Sequence, residues 1–148
     1  MKILIVDDEE KSRYFLARLF SGSGHAVEEA ADGKIALEML EKEAYDLVIS
    51  DILMPVMDGY ALCRELRSRE GLRETPFVFL TATYVDEKDE RFALQLGADR
   101  FYRKPVDPRT FVREIDLLLE EIREGKQRRL GPETDEKEIL TLYNERLI

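Results

Sequence analysis

Carboxylate, hydroxyl and ammonium side chains follow four short apolar runs of this 148-residue sequence, and they are Asp7, Asp8, Asp51, Thr81 and Lys104. Three carboxylates brought together would repel one another, and a bound cation is one of the usual remedies. Hard oxygen ligands suit Mg²⁺, which commonly combines one or two carboxylates with phosphate oxygens. The lysine would supply a positive charge, and the hydroxyl a hydrogen-bond donor, to the other oxygens of a phosphoryl group. The set points to phosphoryl transfer, in which positioning and charge neutralisation do most of the catalysis.

Asp51 has the central place in this set, and an aspartate carboxylate can form an acyl phosphate, so it is the candidate nucleophile. Each residue has a plainer interpretation when it is taken alone. The role of Asp7 and Asp8 could be no more than to cap a helix and compensate its dipole, and Asp51 could be a turn residue. Thr81 could simply end a strand, and Lys104 could be a solvated surface lysine. The coincidence of all five at strand ends favours a functional site.

The apolar runs before these residues lack polar alternation, which is typical of strands buried on both faces of a parallel sheet. Stretches of helical periodicity separate the runs, and this alternation indicates an open, doubly wound α/β sheet. Ligands bind such a sheet outside the carboxyl ends of its strands, near the point where the winding reverses. The predicted strands cover residues 3–6, 26–27, 47–49, 77–80 and 101–102.

Capping and periodicity signals predict a helix after each strand. These helices cover Lys11–Ser21, a segment opened by Asp32-Gly33, a segment capped by Asp58, about Asp86 to Leu96, and the segment from Pro108 to about Glu124. We therefore assign one domain to residues 1–124.

Residues 125–148 are predicted to be a linker followed by an amphipathic helical tail. The extra C-terminal helix starts near Pro132 and carries more apolar residues than a solitary solvated helix needs. We expect it to pack on a neighbouring chain or to lead into a further domain of a longer protein. A frayed appendage is the alternative.

Composition limits the other classes of function. With 148 residues and 44% hydrophobic content, the chain is long enough for one domain with a substantial core. Its 23 basic and 32 acidic residues give a net charge of -9, which disfavours direct binding to nucleic acid and to anionic membranes. A single cysteine, Cys63, and a single histidine, His25, exclude an internal disulfide and effectively exclude a structural zinc site. No apolar run approaches the roughly 20 residues of a membrane span, so we expect a cytoplasmic protein.

Four motifs occur in a fixed order along the chain: Ile3–Glu9, Asp51–Gly59, Leu80–Ala82, and Gly97–Asp99 followed by Lys104-Pro105. In this order and at these spacings they resemble the receiver domain of two-component response regulators, of which the chemotaxis response regulators are examples. The resemblance covers residues 2 to about 124. It implies a flavodoxin-like fold, with a five-stranded parallel sheet in the order 2-1-3-4-5.

The resemblance implies a role for each residue of the metal site. Asp8, Asp51 and the backbone carbonyl of Leu53 would bind Mg²⁺ directly, and Asp7 would bind it through water. Asp51 would accept a phosphoryl group from a phosphohistidine on a sensor histidine kinase or a histidine phosphotransfer protein. The protein would catalyse only its own aspartyl phosphorylation and dephosphorylation, with no separate substrate turnover.

The resemblance also assigns the residues around the phosphoryl group. Thr81 would donate a hydrogen bond to a phosphoryl oxygen, and Lys104 would pair with it. The bond between Lys104 and Pro105 is expected to be cis, as is usual in the family, and to turn the lysine into the site. Family members couple phosphorylation to movement of the threonine and of an aromatic residue three positions before the lysine, here Phe101.

Helical periodicity predicts apolar residues outside the core. At about 100° per residue, Leu117 falls off the apolar face of the fifth helix, and Phe92 and Leu94 cannot both face the core. Together with Phe101, they predict a phosphorylation-sensitive partner or homodimer face on helix 4, strand 5 and helix 5. Single exposed apolar residues are also normal on protein surfaces.

Three other functions fit the sequence less well. A degenerate receiver would serve only as a binding or dimerisation module, but the complete set of site residues argues against it. A haloacid-dehalogenase-like phosphatase also uses a strand-end aspartate and Mg²⁺, but it needs an aspartate two residues later, where this chain has Leu53. A Walker-type nucleotide site lacks its glycine-lysine loop.

Overall fold

A computed structural model describes residues 1–82 and 86–126, which form five strands and five helices in strict alternation. The strands are β1 Lys2–Val6, β2 Ala26–Ala30, β3 Leu47–Ser50, β4 Phe77–Thr81 and β5 Arg100–Arg103. The helices are α1 Glu10–Gly22, α2 Gly33–Lys42, α3 Gly59–Ser68, α4 Glu87–Leu96 and α5 Pro108–Arg123. The strands are parallel and lie in the order β2-β1-β3-β4-β5, which confirms the predicted fold class and strand order.

The sheet separates two apolar cores, because successive strand residues point to opposite faces. On one face, Leu4 and Val6 of β1 pack in a cluster with buried residues of α2, α3 and α4. On the other face, Ile3 and Ile5 pack with buried residues of α1 and α5. All four side chains are buried. This burial on both faces is the reason that the run has no polar alternation.

The edge strand β2 is longer than the two apolar residues predicted for it. It pairs with β1 along its whole length, from Ala26 to Ala30. Its middle residues, Glu28 and Glu29, reach basic side chains: Lys2 Nζ lies 3.6 Å from Glu28, and Arg13 Nε lies 3.1 Å from Glu29. An edge strand tolerates such polar residues because part of it faces solvent.

Aspartate side chains begin four of the five described helices. Asp32, Asp58, Asp86 and Asp107 each accept a hydrogen bond from a backbone N–H group in the first turn. Gly97 ends α4 with a φ of 114°, in the left-handed region that glycine adopts without a steric penalty. The capping signals in the sequence therefore identified these helix ends correctly.

The predicted C-terminal helix lies outside the described residues, as does the packing proposed for it. Within the described part, α5 ends at Arg123, and Gly125 follows with a φ of 78°. None of the described helices is both long and apolar enough to cross a membrane.

Candidate functional site

Four strands end at one edge of the sheet and bring together the five side chains predicted for the site. Asp7 and Asp8 follow β1, Asp51 follows β3, Thr81 ends β4, and Lys104 follows β5. The remaining strand, β2, ends at Ala30 on the outer side of β1 and adds no charged group. Parallel strands necessarily present their carboxyl ends at the same edge, so the strand order alone places these groups side by side.

The three carboxylates form one cluster, in which ligand oxygens of Asp7, Asp8 and Asp51 lie within 4.8 Å of one another. Oxygens as close as these could share one cation, some of them directly and some through its bound waters. Asp7 is buried, Asp51 is half-buried and Asp8 is exposed. This set of hard oxygen donors with an open side fits Mg²⁺.

Asp51 is contacted by three different groups. The Ile52 N–H donates to Asp51 Oδ1 at 2.7 Å, and the Thr81 hydroxyl donates to the same carboxylate. Lys104 Nζ lies 4.0 Å from Asp51 Oδ2. Burial raises the pKa of the Asp51 carboxyl above its ordinary value, and the charge of Asp7 adds to this; the two hydrogen bonds and Lys104 oppose the shift. A more basic carboxylate is also a stronger nucleophile.

Lys104 stands between two of the carboxylates. Its Nζ donates to Asp7 Oδ2 at 3.0 Å and to Ser12 Oγ at 3.4 Å, in addition to facing Asp51. The peptide bond between Lys104 and Pro105 is cis, as expected. The positive charge of the lysine therefore partly offsets the repulsion between Asp7 and Asp51.

Gly59 supports Asp51 from behind, a role that its place in a sequence motif did not reveal. A Cβ atom on Gly59 would lie 2.1 Å from the Asp51 carbonyl oxygen, so no larger residue fits without a shift of the backbone. The Gly59 N–H also donates to the Ile52 carbonyl at 2.7 Å. The loop after β3 is therefore folded tightly onto the start of α3.

Two residues of α1 also contact the site and were not predicted. The Arg13 guanidinium donates to the Asp7 carbonyl at 2.8 Å, and Ser12 contacts Lys104. Both lie in the first turn of α1, directly after Asp7 and Asp8. Their place in a helix that starts at the site edge was the available signal.

The predicted switch face has a mixed burial pattern. Phe101 is 9% exposed and packs near Phe79, with ring centroids 6.3 Å apart. Leu117 is 52% exposed, as the helical arithmetic predicted. Phe92 belongs to the core, and Leu94 is the outer member of the pair, although it is half-buried against the core edge.

A sequence model of the response regulator receiver domain matches residues 3–116. The chain belongs to this family. The probable transcriptional regulator ycf27 of Porphyridium aerugineum is 38% identical to this receiver domain over 121 residues, which are 82% of this chain and 49% of that protein. The alkaline phosphatase synthesis transcriptional regulatory protein PhoP of Bacillus subtilis is 37% identical over 118 residues, which are 80% and 48% of the two proteins. The chain spans about half the length of these curated relatives.

Solved structures agree with this assignment. The signal receiver domain of a signal transduction histidine kinase from Syntrophus aciditrophicus is 35% identical, with a TM-score of 0.76 over 88% of this chain and 98% of that one. A CheY-like response regulator receiver domain protein from Methanospirillum hungatei is 30% identical, with a TM-score of 0.77 over 84% and 97% of the two chains. The receiver fold therefore accounts for nearly the whole of both neighbours.

The relatives do not support the prediction that the protein has no nucleic-acid partner. Both curated relatives described above are named transcriptional regulators, and about half of each lies outside the matched region. The net charge of -9 describes only these 148 residues. It disfavours binding of DNA by this acidic segment, but it does not bear on any segment joined to it.

Proposed function

We propose that this receiver domain accepts a phosphoryl group on Asp51, in an Mg²⁺-dependent reaction, from a phosphohistidine on a sensor histidine kinase or histidine phosphotransfer protein. The observation that carries the proposal is a cluster of three carboxylates within 4.8 Å, in which Asp51 accepts a hydrogen bond from a hydroxyl and has an ammonium 4.0 Å away. The complete set disfavours a degenerate receiver that only binds partners. Leu53 is apolar and 51% exposed, so it cannot act as the second aspartate of a haloacid-dehalogenase-like phosphatase.

Asp8, Asp51 and the Leu53 carbonyl would bind Mg²⁺ directly, and Asp7 would bind it through water. Bound Mg²⁺ would neutralise charge on the carboxylates and on the phosphoryl oxygens. The exposure of Asp8 supports its role as a direct ligand that solvent and metal can reach. The contact of Asp7 with Lys104 at 3.0 Å supports an indirect role, because one of its oxygens is already engaged.

Transfer would proceed by attack of an Asp51 carboxylate oxygen on phosphorus. The bond between phosphorus and the histidine nitrogen breaks, and that nitrogen keeps the electron pair and takes up a proton. The Ile52 N–H holds Oδ1, which leaves Oδ2, on the Lys104 side, as the attacking atom. Thr81 and Lys104 then donate to phosphoryl oxygens where negative charge develops. The domain would thus catalyse only its own phosphorylation and dephosphorylation.

The surface around the site supports a protein as the phosphoryl donor. Exposed apolar side chains lie on α1 and in the loop that follows Asp51: Phe15 is 51% exposed, Leu53 is 51% exposed and Val56 is 76% exposed. Phe15 also lines a cavity of about 330 Å³ that reaches Lys104. A small phosphodonor would leave these side chains in water, whereas a protein would bury them.

We place the output surface on α4, β5 and α5. In the pairing of β4 with β5, Phe101 lies opposite Phe79, and Phe79 is two residues before Thr81 in β4. A movement of Thr81 toward a phosphoryl group would open space for the Phe101 ring and alter this face, where exposed Leu117 could join a homodimer or another partner. The segment 125–148 is the second candidate for a dimer contact or for a connection to a further domain.

We also propose that the receiver domain extends to about residue 124. The end of α5 at Arg123 and the left-handed Gly125 support this boundary, because they interrupt the helix.

Labelling with phosphoramidate tests the proposed function, because its P–N bond is that of a phosphohistidine. We expect the native chain to incorporate phosphoryl in the presence of Mg²⁺ and not in EDTA, and Asp51→Asn to incorporate none. Asp116→Asn is the matched control, since it removes a carboxylate that contacts His25, away from the site, and it should label like the native chain. Equal labelling of Asp51→Asn and the native chain would refute the assignment.

A further inference from the structure

A serine hydroxyl on the first turn of α1 reaches the lysine of the site. Ser12 Oγ accepts a hydrogen bond from Lys104 Nζ at 3.4 Å, and Asp7 Oδ2 accepts one from the same nitrogen at 3.0 Å. Asp51 Oδ2 lies 4.0 Å from this nitrogen, which is beyond hydrogen-bond distance. An ammonium group has three N–H donors. Among the residues that the structure describes, Asp7 and Ser12 therefore engage two of these donors, and one is left for the centre of the site.

The position of this ammonium matters because two carboxylates compete for it. A lysine that moved fully onto Asp51 would neutralise the nucleophile. It would also fill the space beside Oδ2 in which a phosphoryl oxygen has to stand. Asp7 alone would have to resist this movement if Ser12 were absent. The serine adds an uncharged acceptor that holds the lysine without adding a fourth negative charge to the cluster.

We propose that Ser12 is a positioning residue for phosphoryl transfer, whose hydroxyl acts with Asp7 to hold Lys104 Nζ 4.0 Å from Asp51, ready for the incoming phosphoryl oxygen. The inference rests on the proposed function, because it concerns the rate of the same reaction. It assigns to α1 a part in positioning the lysine of the site, beyond its place in the core.

The surroundings of Ser12 make the idea testable by a conservative replacement. Ser12 borders the cavity of about 330 Å³ whose other walls are Phe15, Leu16, Leu80, Lys104, Pro105 and Val106. A methyl group added beside the hydroxyl, as in Ser12→Thr, has room in this space. Mostly apolar walls also favour the hydrogen bond, because they lower the local dielectric constant.

The test compares Ser12→Ala, Ser12→Thr and a control, Ser21→Ala, which makes the same change at an exposed position of the same helix. Labelling by phosphoramidate with Mg²⁺ gives the maximal rate constant and the donor concentration at half-maximal rate. We expect Ser12→Ala to lower the maximal rate constant about three- to tenfold, the worth of one ordinary hydrogen bond, with the half-saturating concentration unchanged. Ser12→Thr should restore the rate to within about twofold of native, and Ser21→Ala should match native.

Thermal unfolding separates this effect from a loss of fold: alanine is the better helix former and partly offsets the lost hydrogen bond, so Ser12→Ala should remain fully folded at the assay temperature. The inference is overturned if Ser12→Ala labels at the native rate, if Ser12→Thr is as slow as Ser12→Ala, or if only the half-saturating concentration changes. A native chain that does not label at all removes the proposed function itself, and this inference with it.

Discussion

Replacement of Gly59 by alanine tests whether the close packing of residue 59 on the Asp51 backbone controls the rate at which the Asp51 carboxylate is phosphorylated. The new methyl carbon would lie 2.1 Å from the Asp51 carbonyl oxygen, and ordinary contact begins at 3.4 Å, so the two must separate by about 1.3 Å. Retreat toward Phe79 is closed, because its Cε1 atom would lie only 3.0 Å away. The Asp51 backbone is itself tied to β1 through its N–H, which donates to the Val6 carbonyl at 3.0 Å. The strain therefore falls on the segment that carries the nucleophile.

Two effects of known size follow from this displacement. Overpacking of a well-packed core typically costs about 1–3 kcal/mol of the free energy of unfolding. A misplacement of a reacting group by about 1 Å can lower a rate about 10²-fold. We therefore expect Gly59→Ala to remain folded but less stable, and to be labelled by phosphoramidate about 10²-fold more slowly than the native chain.

Urea unfolding and the initial rate of phosphoryl incorporation measure the two effects on the same samples. Gly22→Ala is the matched control, because Gly22 lies in α1 and a Cβ there meets nothing within 4 Å. This control should label at the native rate and gain up to about 1 kcal/mol of stability from the better helix former. A Gly59→Ala protein with native stability and a labelling rate within about threefold of native, well short of the effect of a misplaced group, would refute the reasoning.

Three further predictions concern stability. Without metal, Asp51→Asn should unfold at a higher temperature than the native chain at neutral pH, because burial raises the pKa of the Asp51 carboxyl. The native fold therefore loses the stability contributed by this group as the pH rises from the ordinary aspartate pKa through the raised one, and melts in EDTA should show the melting temperature of the native chain falling relative to that of Asp51→Asn over this rise; a constant difference between the two proteins would contradict the shift. Mg²⁺ at about 100 times its Kd should stabilise the native chain by about 2.7 kcal/mol, and Asp8→Asn should lose most of this gain; equal shifts by calorimetry would contradict Asp8 as a ligand. Leu118→Ala, at a site 1% exposed, should cost about 2–5 kcal/mol in urea unfolding, whereas Leu117→Ala, at a site 52% exposed, should stay within about 0.5 kcal/mol; similar losses would mean that α5 is turned differently.

Signals that act over a few residues were sufficient to predict most of the elements. Asp58 and Asp107 each bond a backbone N–H three residues later, so their preference for helix starts is visible in the local sequence. The run Ile3–Val6 predicted a strand buried on both faces, because every residue in it is apolar. The gathering of Asp7, Asp51 and Lys104 at one edge then followed from the parallel order of strands whose ends they occupy.

Local signals failed where a residue's surroundings come from another part of the chain. Glu28 and Glu29 end the apolar run, so only residues 26–27 of β2 were predicted from the sequence. An edge strand can carry polar residues that pair with side chains outside it. Periodicity showed that Phe92 and Leu94 could not both be buried, but the packing of α4 on the sheet decided that Phe92 is the core residue.

The sequence by itself determined which groups take part in the site, and the tertiary structure decided how they are tuned. The composition of the strand ends supplied the carboxylates, the hydroxyl and the ammonium. The raised pKa of Asp51 depends on its burial, the need for glycine at position 59 depends on a carbonyl oxygen 2.1 Å from its Cβ position, and the contact of Ser12 with Lys104 joins residues that are 92 positions apart. Each of these is a distance between separate segments, and such distances are set only when the helices close onto both faces of the sheet.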